Sequence, residues 1–384
     1  MSSSSTPSVG GSSARAPVEA FLATAGVSLG GTQPCDIQVH DARFFDAVLA
    51  HGSLGFGESY MEGWWDCAAL DQLFHRLCTI PKQRSRSSLK FWTKLQYLVL
   101  NMQSKARAHQ VTRAHYDLSN RFFQLWLDPQ MQYSCAYWEG AETLEQAQRN
   151  KLELICQKLH LRPGERVLEI GCGWGGLARY MAAERQAKVT AVNISQEQIQ
   201  FAREFCAGLP VEVVDQDYRD IRGSWDKVVS IAMLEAVGAR NLRTYMETAH
   251  RALREDGVFV LHTIGENITR PHADRWILKH IFPNGYVPSL AQLGSAMEGL
   301  FVMEDWHNIG PDYDHTLMAW HQRFEAAWPQ IQTLDPKFDE RFRRMWRYYL
   351  LNCAGVFRGR SLQLWQITMT RHRSGTGYPR VLRK

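Results

Sequence analysis

The chain of 384 residues lacks any long apolar run; stretches such as Leu95 to Leu100 are far too short to span a bilayer core of about 30 Å. Any contact with a membrane is therefore expected to be peripheral. Its eight cysteines (35, 67, 78, 135, 156, 172, 206 and 353) form no CxxC pair and no Cys/His spacing of the zinc type. Neither a structural zinc nor a disulfide framework is indicated, no metal site is expected, and a reducing cytoplasm is the simplest setting. Residues 1–16 are mostly Ser, Gly, Thr and Pro without the apolar core of a secretory signal, and they are expected to be disordered. Internal repeats and recognised RNA-binding motifs are missing too, and no nucleic-acid partner is expected.

What is present is the composition of a folded protein: 45% hydrophobic, 22% charged, 28 Gly and 14 Pro, enough to bury a sizeable core. Residues 17–81 carry helical patterning and a glycine and aromatic passage from Gly52 to Trp65, and read as a small helical N-terminal domain. Residues 82–115 hold eight Lys/Arg and no acid, with Phe91, Trp92 and Tyr97 among them, the pattern of a basic amphipathic linker. From 116 to 371 strand and helix patterns alternate, with strands near 166–170, 188–194, 211–214, 227–232, 258–262, 301–308 and 362–370 and a helical stretch over 316–355. Alternation of this kind predicts an α/β domain with a mostly parallel, doubly wound, seven-stranded sheet. Residues 372–384 form a basic tail.

The string LEIGCGWGG, Leu168 to Gly176, places glycines between a strand and a helix, where backbone amides can meet a ligand. Gly171, Gly173 and Gly176 satisfy G-x-G-x-x-G, a pattern open to NAD and to S-adenosylmethionine alike. A dinucleotide site wants a carboxylate at the end of the second strand, but that strand ends Val192, Asn193, Ile194, Ser195. Glu169 could anchor a cationic amino group, and Asp217 and Tyr218 could hold and cover an adenine, which favours S-adenosylmethionine. Gln198 has two readings, a cofactor contact or the fourth residue of a Ser195-x-x-Gln198 capping box.

YSCAYW (Tyr133 to Trp138), LEIGCGWGG, NISQEQ (Asn193 to Gln198), LHTIG (Leu261 to Gly265), IFPNGYVPS (Ile281 to Ser289) and MEDWHNIGPDYDHTLMAW (Met303 to Trp320) resemble the bacterial cyclopropane-fatty-acyl-phospholipid synthases. The resemblance runs from about Gly52 to Gln366. It implies a Rossmann-like class I methyltransferase fold and a homodimer. It also implies transfer of the S-adenosylmethionine methyl group to a cis double bond of a phospholipid acyl chain, with proton loss to bound bicarbonate closing a cyclopropane ring. Carried over residue by residue, the bicarbonate cradle falls on Cys135 and Ile264 through backbone amides, His262 and Tyr313 through side chains, and Glu235 as the group that orients the anion or holds its proton. Tyr133, Ser134, Glu169, Gly171, Gly173, Gly175, Asn193, Ile194, Gln198, Asp217 and Tyr218 would contact the cofactor, with Tyr116 nearby. Cys353 in NCAG matches a cysteine considered as a catalytic candidate.

Two positions depart from the resemblance: Asn193 stands where the family usually has threonine, with little change expected since both can bond a ribose hydroxyl, and LEAVG, Leu234 to Gly238, has Ala236 where the closest synthases carry histidine. Relatives with alanine there include lipid C-methyltransferases that make methyl or methylene branches, so a branched product is the alternative outcome. A methyltransferase of RNA or of a small molecule, and an inactive membrane-binding module, are further alternatives. The aromatic spacing Trp320, Phe324, Trp328 fits either an acyl tunnel or a core stripe.

The net charge of +5 conceals a separation. Setting aside the eight positive charges of 82–115 and the five of 371–384 leaves the rest of the chain at −8. An acidic body with two basic segments suits a cytoplasmic enzyme visiting the anionic inner surface of a membrane, where its unsaturated phospholipid substrates lie.

Overall fold

The computed structural model describes residues 11–80, 118–270, 273–372, 375 and 377–379. The basic linker 82–115, Tyr116, and most of the basic tail fall outside these residues. Within them, the first element is a helix, α1 (Gly11–Ala23), which begins inside the stretch 1–16 whose composition reads as disordered. The reason is visible in the spacing: Ala14, Val18 and Leu22 recur every fourth residue and all three are buried. Composition concealed an amphipathic start.

Four more short elements complete the N-terminal part: β1 (Gln38–Val39), α2 (Arg43–His51), α3 (Ser53–Met61) and β2 (Trp65–Asp66), the two strands pairing antiparallel, followed by α4 (Leu70–Thr79). Two helices, α5 (Asn120–Gln124) and α6 (Leu144–Lys158), lead into the alternating region. There the chain runs β3 (Arg166–Ile170), α7 (Gly176–Arg185), β4 (Lys188–Asn193), α8 (Gln196–Phe205), β5 (Val211–Asp215), β6 (Trp225–Ile231), α9 (Leu242–Ala252) and β7 (Leu253–Gly265). It finishes with α10 (Arg275–His280), α11 (Leu290–Met297), β8 (Phe301–Asn308), α12 (Gly310–Ile331), α13 (Glu340–Arg358) and β9 (Gln363–Arg371).

The large sheet has seven strands in the order β5-β4-β3-β6-β7-β9-β8, with β9 and β8 added antiparallel and the rest parallel. This is the expected class I methyltransferase architecture. The helical stretch expected over 316–355 is two helices, broken where Asp339 accepts from the Phe342 amide and caps α13. On β7, alternate residues divide between the two faces: Phe259 and Leu261 pack with α9 and α11, while Val258 and Val260 pack with α6 and α7. His262 and Ile264 continue the second face toward α12.

One hydrophobic core joins the ends of the chain. Phe44, Phe56, Trp65 and Phe74 pack with Trp346, Tyr348 and Phe357 of α13. Arg358 bridges Asp71 of α4 (2.6 Å) and Asp314 of α12 (2.8 Å). Gly57 on α3 lies flat against the Trp276 indole of α10; a Cβ there would stand 2.3 Å from Trp276 Cδ1. The aromatic spacing on α12 is core: Trp320 and Phe324 are fully buried, Trp328 nearly so, against Phe122, Trp126 and Trp346. The tunnel reading is not what this helix face does, although the Trp320 ring also meets Tyr133 and Tyr313.

Candidate active site

A cleft opens at the C-terminal ends of β3, β4 and β6, the place where open parallel sheets bind ligands. Its walls include Tyr133, Ser134, Glu169, Gly171, Gly173, Asn193, Ile194, Gln198, Asp217 and Tyr218, ten of the eleven expected cofactor residues. Gly175 is absent from the wall. It caps α7 with φ 83°, and a Cβ there would press on Ala202 (3.0 Å) and the Cys206 thiol (3.2 Å), so its smallness serves packing against α8. Gly176 likewise faces protein: a Cβ would stand 2.0 Å from the Gln130 carbonyl oxygen. Gly173, with φ 55° and nothing within 4 Å of its would-be Cβ, is the glycine that leaves open space for a ligand.

Asn193 organises the far wall. Its Oδ1 accepts from the Ile194 amide (2.8 Å), and its Nδ2 donates to the Gly173 carbonyl (3.2 Å) and to Gln198 Oε1 (3.0 Å). The Ser195 side chain makes no cap bond to α8, so the capping-box reading of Gln198 does not hold; Asn193 draws its amide away from the helix start. Asp217 accepts from the Arg219 amide (2.9 Å), which fixes the turn that presents Tyr218.

Glu169 is the acidic group under this cleft. It is buried, its Oε2 has no hydrogen-bond partner, and burial pushes its carboxyl up to about 8 against the opposing pull of Lys151 and the Ala178 amide. A cationic ligand would return it to the carboxylate form.

The segment closing the cleft, Met131 to Ser134, continues directly into Cys135. Met131 sits in the left-handed region (φ 53°), as does Ala232 (φ 50°) on the opposite wall, two strained residues at one site. Cys135 is fully buried, its thiol pushed well above its ordinary value by burial with Asp312 adding to it, and therefore a neutral thiol. Tyr133 Oη donates to Tyr349 Oη (2.9 Å), and its ring lies among Phe123, Trp126, Phe282 and Trp320.

The expected cradle residues gather behind this wall. Glu235, on the short turn after β6, accepts from the Ile264 amide at 2.6 Å through Oε1; its buried Oε2 has no partner. Burial pushes its carboxyl up to about 7, the Ile264 amide pulling the other way. The Ile264 amide is thus committed to Glu235, a correction to the expectation that it faces an anion directly. His262 is fully buried with Nδ1 3.3 Å from Gln366 Nε2, while Nε2 has no partner. Burial, with Lys151 and Lys158 adding to it, holds the imidazole well below its ordinary value, so it is neutral. Tyr313 is buried within electrostatic reach of Cys135, Tyr133, Glu235 and Cys353, and burial keeps its phenol protonated. Cys353 lies beyond, its thiol pushed up to about 12 by burial, which leaves no thiolate for nucleophilic work.

Two unpartnered buried atoms, Glu235 Oε2 and His262 Nε2, fit a small polar guest such as bicarbonate. Sequence reasoning missed Lys151, Gln132 and Gln366. Lys151 was legible as a lysine on the apolar face of α6, in step with Ala147, Leu152 and Ile155, as is the buried Lys158 at the helix end.

The family profile described as mycolic acid cyclopropane synthetase matches residues 103–367. The chain is 50% identical over 354 residues to an Escherichia coli protein named cyclopropane-fatty-acyl-phospholipid synthase, covering 91% of this chain and 92% of that one. It is 34% identical over 343 residues to a tuberculostearic acid methyltransferase of Mycobacterium tuberculosis, covering 84% and 79%. Among solved structures it is similar to the mycolic acid cyclopropane synthase CmaA1 complexed with SAH and CTAB, with TM-score 0.62, 30% identity, and coverage of 69% of this chain and 98% of that one.

Proposed function

Because the chain belongs to the mycolic acid cyclopropane synthetase family, we propose that it is an S-adenosylmethionine-dependent cyclopropane-fatty-acyl-phospholipid synthase. Methyl donor and alkene give S-adenosylhomocysteine, a cyclopropane ring and one proton. The observation that carries this reading is the continuity of Met131 to Cys135, which closes the cofactor cleft with its first four residues and enters the buried Glu235/His262/Tyr313 region with its fifth.

S-adenosylmethionine supplies a methyl group on a sulfonium; what the protein adds is placement. Gly173 would give the cofactor room, Glu169 would face its cationic end, and Asp217 and Tyr218 would flank its adenine. An alkene is a weak nucleophile with no proton to surrender first, so the acyl chain must be held in line in a dry site. The ring faces of Tyr133 and Phe282 offer negative electrostatic potential to the positive charge that attack leaves on the acyl chain. Ring closure then needs a base. A bicarbonate held by the Cys135 amide, His262 Nε2 and Tyr313 would supply it, with Glu235 orienting it through Oε2 while Oε1 stays on the Ile264 amide. A neutral His262 suits this role because it can donate from Nε2 without placing a second cation beside the acyl charge.

Ala236 lines the cofactor cleft. That observation favours a second reading, a methyl or methylene branch as product, since the proton lost decides the outcome. Mass spectrometry with NMR of lipids from expressing cells separates the two: upfield ring methylene protons support the synthase, and branch methyl or exocyclic methylene signals overturn it in favour of the second reading. Docking on anionic phospholipid is assigned to the basic segments 82–115 and 372–384, at about 1 kcal/mol per Lys/Arg near the surface. Among the described residues no helix is long and apolar enough to cross a membrane. Salt-sensitive cosedimentation with anionic vesicles tests the docking, and sedimentation velocity tests the homodimer.

A further inference from the structure

Lys151 is entirely buried in the middle of α6, and its ammonium donates to Gln132 Oε1 (2.6 Å) and Ser134 Oγ (2.9 Å). Gln148, one turn earlier, donates to the backbone carbonyls of Ser134 (3.0 Å) and Gln132 (3.3 Å). From the other side, the buried Asp128 carboxylate accepts from the amides of Gln130 (2.8 Å) and Gln132 (2.9 Å). The segment that closes the cofactor cleft is therefore clamped between one helix and one carboxylate, and the next residue along it is Cys135.

The same ammonium acts electrostatically on Asp128, Cys135, Glu169 and His262, which belong to both halves of the site. A buried cation is expensive unless it is paired and hydrogen-bonded, so a lysine kept here is answering groups around it. Gln132 and Ser134 line the cleft and also hold Lys151, so a ligand that orders this wall also orders the ammonium that holds it.

We propose that Lys151 is a positioning residue that couples the two halves of the site: by clamping Gln132 and Ser134 it makes a filled cofactor cleft and an anion bound beside Cys135 stabilise each other. This rests on the proposed bicarbonate reading. Linkage makes the coupling measurable from either ligand.

The test is calorimetric titration of the full-length protein with S-adenosylhomocysteine, with and without saturating bicarbonate. In the wild type bicarbonate tightens binding by about five- to twentyfold, the lower part of the usual range of such couplings. Lys151→Met still binds S-adenosylhomocysteine, but the ratio falls to about one; Ser134→Ala, a smaller change that keeps the charge, lowers the ratio part of the way. Leu152→Ala, the next residue on α6 and buried without touching the clamp, lowers the melting temperature and keeps the wild-type ratio. An undiminished ratio in both Lys151→Met and Ser134→Ala overturns the inference, as does a wild-type ratio of one. In the latter case, turnover that still requires bicarbonate leaves the anion reading standing, whereas turnover indifferent to bicarbonate overturns that reading itself.

Discussion

Replacing Glu235 by Gln tests the buried carboxyl in two independent ways. Its carboxyl is raised from an ordinary 4.5 to about 7 because the charged form is cut off from water. That difference corresponds to about 3 kcal/mol between its protonation states. The sign follows from the raised value: below about pH 4.5 Glu235 is neutral folded or unfolded and costs nothing. As pH rises through 7 the folded state must ionise a buried group that the unfolded chain ionises freely, and stability is lost. Gln cannot ionise, keeps an oxygen for the Ile264 amide, and leaves one buried amide donor unpaired at about 1 kcal/mol. Relative to wild type, the variant therefore gains about 2 to 3 kcal/mol between pH 5 and pH 8. For a chain of this length that is a change of about 3 °C in the difference of melting temperatures. Paired thermal melts at the two pH values read it. Turnover meanwhile falls about 10²- to 10⁴-fold, the usual worth of a group in proton transfer, with S-adenosylhomocysteine binding retained. A melting difference that does not change with pH would refute the assignment of Glu235 as a buried, ionisable acid.

Three further substitutions follow from named contacts. Gly176→Ala drives a Cβ to 2.0 Å from the Gln130 carbonyl and 2.3 Å from Gln132 Nε2, so it should displace the cleft wall and weaken S-adenosylhomocysteine binding by about tenfold or more, an overpacking cost of about 1 to 3 kcal/mol; unchanged binding by calorimetry counts against it. Gly57→Ala presses on the Trp276 indole at 2.3 Å and should lower stability by about 1 to 3 kcal/mol, read by melting temperature, with an unaltered melt as the contrary result. Cys353→Ser should keep kcat within about threefold, because a buried thiol near 12 supplies no thiolate at neutral pH; a loss of a hundredfold would restore it as a catalytic group.

Much of the site was legible because cofactor chemistry leaves local marks. Glu169 lies at the end of a strand, Gly171 follows it, and Asn193 ends the next one, so adjacency in the chain stood in for adjacency in space. What escaped reading depends on tertiary contacts. Gly173 and Gly175 look alike in the string, yet one borders open space and the other the Ala202 methyl and Cys206 thiol of α8. The role of the Ile264 amide was hidden because its partner, Glu235, lies 29 positions away. β7 is longer than expected, beginning at Leu253, which pairs with Trp225 ahead of a register irregularity that takes in Arg254, Glu255 and Asp256, residues that periodicity reads as loop. Trp320, Phe324 and Trp328 share one spacing, and only packing shows that all three are core.

The joining of α3 and α4 to α13 bears on how the chain comes to be folded. The apolar faces of Phe44, Phe56 and Phe74 find their cover in residues that leave the ribosome about 270 to 310 positions later, roughly 15 to 60 s at ordinary elongation speeds. For that time the N-terminal helices hold exposed hydrophobic surface that their own neighbourhood in the sequence cannot close. Their completion waits until α13 has been made, and a chain cut short before Glu340 leaves α1 to α4 as a substrate for chaperones and proteases.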